Sequence, residues 1–213
     1  LASFTCAAET VTKGMKKVID DALDFSVKQS MSMFYEMKDQ KGILPRTAEN
    51  GKMITCESAW WTSGFYPGTL WYCYEYSNDP QIRAAAEEMT SRVEKQKYTT
   101  SNHDVGFIIN CSFGNGYRLT HNETYRKVIE TAAKSLSTRF HPVTGCTRSW
   151  NSKKWQFSVI IDNMMNLELL NVASSLTGDN TYYNMAKSHA DRTMINHFRP
   201  DGSSYHVVSY DTI

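Results

Sequence analysis

Leu119-Thr120-His121-Asn122-Glu123 decides the fold, because the chain repeats this punctuation at Ser77-Asn78-Asp79-Pro80 and again at Leu176-Thr177-Gly178-Asp179-Asn180. In each turn an Asp or Asn stands where its side-chain oxygen can accept the unpaired N–H groups of a new helix. The segments that follow, 81–96, 124–139 and 181–197, carry their charge on one side, as in Arg83, Glu87, Glu88, Arg92, Glu94 and Lys95, and read as outer helices. The segments that precede, about 58–76, 104–113 and 157–176, are rich in aromatics and Met, and read as inner helices buried nearly all round. Inner and outer helices that alternate in this way predict an all-α stack of helical hairpins, either an open solenoid or a closed α/α toroid.

Counting back seventeen or eighteen residues from the three caps reaches Thr62, directly after Trp60-Trp61, then Asp104 and Asp162. Asp162 sits in the apolar run Phe157-Ser158-Val159-Ile160-Ile161-Asp162-Asn163-Met164-Met165. A carboxyl group in such surroundings is harder to ionise, which suits it to donate a proton near neutral pH. Asp162 is therefore a candidate general acid and Asp104 a candidate partner. Helix capping is the alternative for both. In a toroid the inner helices begin at one rim, so the two aspartates and the tryptophans would converge on one cavity.

Other residues gather at the same rim. His103 adjoins Asp104, and Gly106 permits close packing. The segment Trp60-Trp61-Thr62-Ser63-Gly64-Phe65-Tyr66-Pro67-Gly68 is an aromatic platform suited to the apolar faces of sugar rings, with core packing as the commoner fate of such residues. Trp150 closes the loop Thr144-Gly145-Cys146-Thr147-Arg148-Ser149 ahead of the Asp162 segment. His206 lies in the extended-looking Asp201-Gly202-Ser203-Ser204-Tyr205-His206-Val207-Val208, where a buried structural histidine is the alternative. His121, His141, His189 and His197 receive no role.

Composition narrows the classes. The chain has 213 residues, of which 41% are hydrophobic and 21% charged, enough for one large core without a linker or low-complexity segment. A net charge of +1 and the lack of a basic run argue against nucleic acid. No apolar run is long enough for a transmembrane helix. Five cysteines without C-x-x-C spacing suggest packed thiols, neither a disulfide framework nor a zinc site. Residues 1–9 read as a leader or tail, either the end of an export signal or a lipid-attachment cysteine at Cys6; residues 10–213 read as one catalytic domain.

The strings Trp61-Thr62-Ser63-Gly64-Phe65-Tyr66-Pro67-Gly68, His103-Asp104-Val105-Gly106-Phe107, Gly114-Asn115-Gly116-Tyr117-Arg118-Leu119, Asp162-Asn163-Met164-Met165-Asn166-Leu167-Glu168-Leu169-Leu170 and Asp201-Gly202-Ser203-Ser204-Tyr205-His206-Val207-Val208 resemble the unsaturated glucuronyl hydrolases of glycoside hydrolase family 88. The resemblance runs from about residue 10 to the end. It implies an (α/α)6 toroid that removes the terminal 4,5-unsaturated uronic acid from oligosaccharides left by polysaccharide lyases. It also implies Asp162 as general acid/base, Asp104 as the second essential carboxylate, and His103, Trp61, Trp150 and His206 lining the sugar site, with no metal or organic cofactor. A six-hairpin toroid needs more chain than this, so the sequence is expected to hold about the first half of the domain, truncated at its C-terminus. The alternatives are an unsaturated rhamnogalacturonyl hydrolase, a sugar epimerase of the same fold, a noncatalytic carbohydrate-binding repeat protein, and a peptide-binding scaffold. A bacterial periplasm is expected over the cytoplasm as the compartment.

Overall fold

A computed structural model describes residues 12–213; the expected leader and Cys6 lie outside the described residues. The order is α1 (Lys13–Met37), a β1–β2 hairpin (Ile43–Glu49, Lys52–Glu57), α2 (Phe65–Ser77), α3 (Pro80–Ser91), a 3-10 turn (Glu94–Tyr98), α4 (Val105–Ile109), a π-helical turn (Asn110–Gly114), α5 (Asn115–Thr120) and α6 (Glu123–Ser137). The short pair β3 (Phe140–His141) and β4 (Cys146–Thr147) follows, then β5 (Phe157–Ile160), α7 (Asn163–Asn166), α8 (Glu168–Thr177), α9 (Asn180–Asn196) and β6 (Val207–Tyr210).

The three repeated turns share one mechanism. Each inner helix ends on a left-handed residue, Asn78, His121 or Gly178, whose N–H donates back to Tyr74, Tyr117 or Ser174. The next residue caps the outer helix. Asp79 accepts from Gln81 N–H at 2.7 Å, Asn122 from Thr124 at 2.9 Å and Asp179 from Thr181 at 2.8 Å. A left-handed C-terminus followed at once by a new cap reverses the chain in two residues, so α2–α3, α5–α6 and α8–α9 form antiparallel hairpins. One core cluster joins Ile108, Ile109, Phe113, Ile129, Leu136, Leu169 and Leu170; a second joins Met37, Leu70, Trp71 and Met89.

The sequence-based expectation differs from the structure in the inner segments. The run from Phe157 to Ile160 is a strand, paired antiparallel with β6 (Ile160 opposite Val207), and not the first turns of a helix. Residues 58–64 are turns before α2, and the 104–113 segment passes through a π-helical turn and continues as α5 to Thr120. The inner helices are also not buried all round: Tyr72, Met164 and Met165 are exposed. The helix α1 and the β1–β2 hairpin, with its irregularity between Pro45 and Thr47, are additions that the repeat did not show.

Two glycines set how closely the inner segments approach. A Cβ on Gly64 would enter the backbone of Ile108, and one on Gly106 would stand 2.6 Å from Asn166 Cα. We expect Gly106→Ala to destabilise the fold by about 1–3 kcal/mol through overpacking, read from denaturant midpoints. Gly14→Ala on α1, with nothing within 4 Å of the new methyl, should cost nothing.

Candidate active site

Asp104 and Asp162 directly precede α4 and α7, yet neither side chain caps its helix. Both residues have helical backbone angles (φ −63°, ψ −12° and φ −69°, ψ −10°), whereas a capping residue is extended. Their carboxylates are thus left to face a cavity of about 660 Å³, lined by Trp61, Phe65, His103, Asp104, Trp150 and Asp162, and also by Met165 and His206. All six residues singled out from the sequence line it.

Backbone pairing brings these segments together. The N–H of His103 donates to Ser149 C=O at 2.9 Å, and Asn102 bridges Trp150, so the Asp104 turn is held against the Trp150 loop. The N–H of Ser149 in turn donates to Ser158 C=O at 2.8 Å, and its hydroxyl accepts from Ile160 N–H at 3.0 Å. That ties the Trp150 loop to β5, which leads directly into Asp162. The N–H of Ile161 donates to His206 C=O at 2.9 Å, which sets His206 beside Asp162. Across the cavity Asn166 Oδ1 accepts from Phe107 N–H at 2.7 Å, joining α7 to α4. Trp61, Phe65 and Phe107 form one aromatic wall with ring centroids 5.5 to 6.1 Å apart.

Burial pushes the Asp104 carboxyl up to about 6, and the Asp162 carboxylate adds to the rise while the Arg139 guanidinium opposes it. Asp162 is also raised by burial, against its own backbone N–H and the nearby His206. The charge of Asp162 is thus felt at Asp104. Both carboxyl groups are therefore easier to protonate than a free aspartate. His103 is buried, and desolvation lowers it to about 4, so its 3.4 Å contact with Asp104 Oδ1 is made by a neutral ring. His206 is exposed, which removes the buried-structural alternative. His189, 0% exposed, accepts from Thr147 N–H and serves the fold.

Sequence reasoning missed several lining residues. Phe65, Phe107 and Met165 stood inside the quoted strings and could have been named; Asn102, Ser149 and Ile160 carried no signal of their own, since a hydroxyl or an aliphatic chain becomes part of a site only through pairing.

No protein-family model matches the chain. It is 47% identical over 156 residues to an unsaturated glucuronyl hydrolase of Formosa agariphila, covering 72% of this chain and 39% of that protein. It is 33% identical over 200 residues to an unsaturated chondroitin disaccharide hydrolase of Streptococcus pyogenes serotype M1, covering 91% and 49%. A crystal structure of an unsaturated glucuronyl hydrolase specific for heparin superposes with a TM-score of 0.84 at 42% identity, over 91% of this chain and 53% of that one. The chain belongs to the unsaturated glucuronyl hydrolase family. Its hairpins are those of the (α/α)6 toroid of these glucuronyl hydrolases, and it spans about half the length of the relatives it matches.

The raised Asp104 has a pH signature. Its folded value of about 6 stands above about 3.9 in an unfolded chain, so the fold favours the protonated form. That contribution is intact below about pH 4 and is lost as pH rises through 6. Asp104→Asn should match wild type near pH 4 and be more stable at pH 7.5. The gain should be on the order of 1–2 kcal/mol, less than the full conversion because the side chain is partly solvated. Thermal unfolding at the two pH values checks this, and a variant less stable at pH 7.5 would contradict it.

Proposed function

We propose that the protein containing this chain releases the non-reducing terminal 4,5-unsaturated uronic acid from oligosaccharides produced by polysaccharide lyases, by hydrating the C4–C5 double bond. The observation that carries this reading is the pair of uncapped, half-buried aspartates facing one aromatic-walled cavity of sugar size. The cavity offers an acid, a second carboxylate and stacking surface, and the family relatives bear the matching activity in their names.

In this reading Trp61 and Trp150 stack on the sugar rings, His103 and His206 donate to ring oxygens, and Asp104 accepts from hydroxyls. Asp162 gives its proton to C4, and the cation that forms at C5 is stabilised by the ring oxygen. Asp162, now a carboxylate, takes a proton from the water that adds to C5. The product is a hemiketal at C5. It opens to a 5-keto uronate, and the hemiacetal left at C1 expels the rest of the saccharide as an alcohol. Ordinary glycoside hydrolysis uses one carboxyl group on the leaving oxygen and another as nucleophile or base. Here a single group cycles its proton, and the second holds the ring. A pair of carboxyl groups that burial makes easier to protonate suits that cycle. Substrate arrival redistributes the proton: hydroxyls donating to Asp104 favour its ionised form and leave the proton with Asp162.

The substrate class we propose is a glycosaminoglycan disaccharide. One solved relative is specific for heparin and one curated relative acts on chondroitin disaccharide, so both unsaturated disaccharides belong in the test. The protein should bleach the ultraviolet band of the unsaturated uronate on at least one of them. Asp162→Asn should slow this by about 10³-fold or more, while binding persists in calorimetry. A folded protein that bleaches neither substrate, or an Asp162→Asn variant as fast as wild type, would sink the reading.

A further inference from the structure

Arg139 is a buried cation, 8% exposed, that does not itself line the cavity. A buried charge is costly unless it is paired, and the usual partner is a carboxylate. Each hydrogen bond of its guanidinium goes to a neutral acceptor: Nε to Arg148 C=O at 2.7 Å, Nη1 to Thr100 C=O at 2.6 Å, and Nη2 to Asn151 Oδ1 at 3.4 Å. These acceptors are not scattered. Thr100 lies two residues before Asn102-His103-Asp104, while Arg148 and Asn151 bracket Ser149-Trp150. The fork thus bridges two chain segments that both contribute to the cavity wall.

We propose that Arg139 is a positioning residue of the site: from behind the cavity it clamps the Asp104 segment to the Trp150 segment, and its fixed charge favours the ionised form of Asp104. The charged groups that face one another here are Asp162 and Arg139 toward Asp104, and Arg148 and Asp104 toward Arg139. The same guanidinium disfavours protonation of His103. A clamp made only for packing would not need a charge. A guanidinium answers both demands, because its planar fork reaches three acceptors and it stays cationic after burial, lowered only to about 10.

The charge role and the clamp role separate in two variants. Arg139→Gln removes the charge, and Arg139→Lys keeps it while losing the fork. Carbon-detected NMR of the aspartate carboxyls, which needs no substrate, should show Asp104 in Arg139→Gln titrating higher by on the order of one pH unit. Arg139→Lys should titrate like wild type, and its KM on the bleached disaccharide should rise several-fold as Trp150 loosens, with kcat held nearer to wild type. A folded Arg139→Gln chain whose Asp104 titrates as in wild type would overturn the electrostatic role. If that chain fails to fold, Arg139→Lys decides: an unchanged KM overturns the clamp, and an Asp104 titration that departs from wild type although the charge is kept overturns the electrostatic role. The titration stands apart from the proposed hydrolase activity, so failure of the one is not failure of the other.

Discussion

The approach of α7 to α4 through Gly106 is the constraint on which the site depends. The α-carbon of Gly106 rests against the backbone of Asn166 with no room for a methyl group, and Asn166 uses that closeness to accept the N–H of Phe107. Gly64 does the same for α2 against Ile108. Three segments that are distant in sequence are thereby locked with their starts in register. Asp104, Asp162 and Trp61 stand at those starts. Interiors are close-packed and transmit strain, so a displacement of one segment would move the aspartates relative to each other.

That arrangement carries an electrostatic cost, and the fold shows where it is offset. Two carboxylates and a neutral histidine are drawn out of water at the cavity wall, and a guanidinium is buried behind them. None of these groups improves the stability of an isolated hairpin. They are held by elements whose own interactions are conventional: the caps at Asp79, Asn122 and Asp179, the aliphatic core around Ile109, Ile129 and Leu169, and the β5–β6 ladder. Desolvated groups of this kind persist where the surrounding structure holds them in place.

The hairpins were legible because the signal is local. A cap, a left-handed residue before it and one-sided charge after it lie within a few residues, and each acts through the backbone next to it. The same locality explains the errors. The apolar run from Phe157 to Ile161 has no period that separates a buried strand from a buried helix; its partner, Val207 to Tyr210, lies some fifty residues away. The six residues that line one cavity could be singled out because they sit in distinctive strings and at matching repeat positions. Ser149 and Asn102 matter only through long-range pairing, which composition does not encode. Arg139 read as the charged end of an outer helix, and only the burial of that end by the loops around Thr100 and Asn151 distinguishes it from a solvated arginine.

The four aspartates at helix starts show how backbone conformation divides carboxylates that cap from carboxylates that face the cavity. Asp79 and Asp179 have extended backbone angles that turn the carboxylate back onto the first turn, where it accepts an N–H, and Asp179 is lowered by the bonds from Thr181. Asp104 and Asp162 have helical angles, make no capping bond, and are raised by burial. The difference lies in what precedes them. Asp79 and Asp179 follow a left-handed residue that ends a helix, so the chain must extend before it can coil again. Asp104 and Asp162 are entered from turns pinned by Ser149 and by His206, which deliver the chain already coiled. A carboxylate that cannot reach its own helix must find another partner or face the cavity, and among the described residues Asp162 Oδ1 is buried without a hydrogen-bond partner. A buried acceptor in that position raises the cost of ionising the group, in keeping with the upward direction that burial gives Asp162.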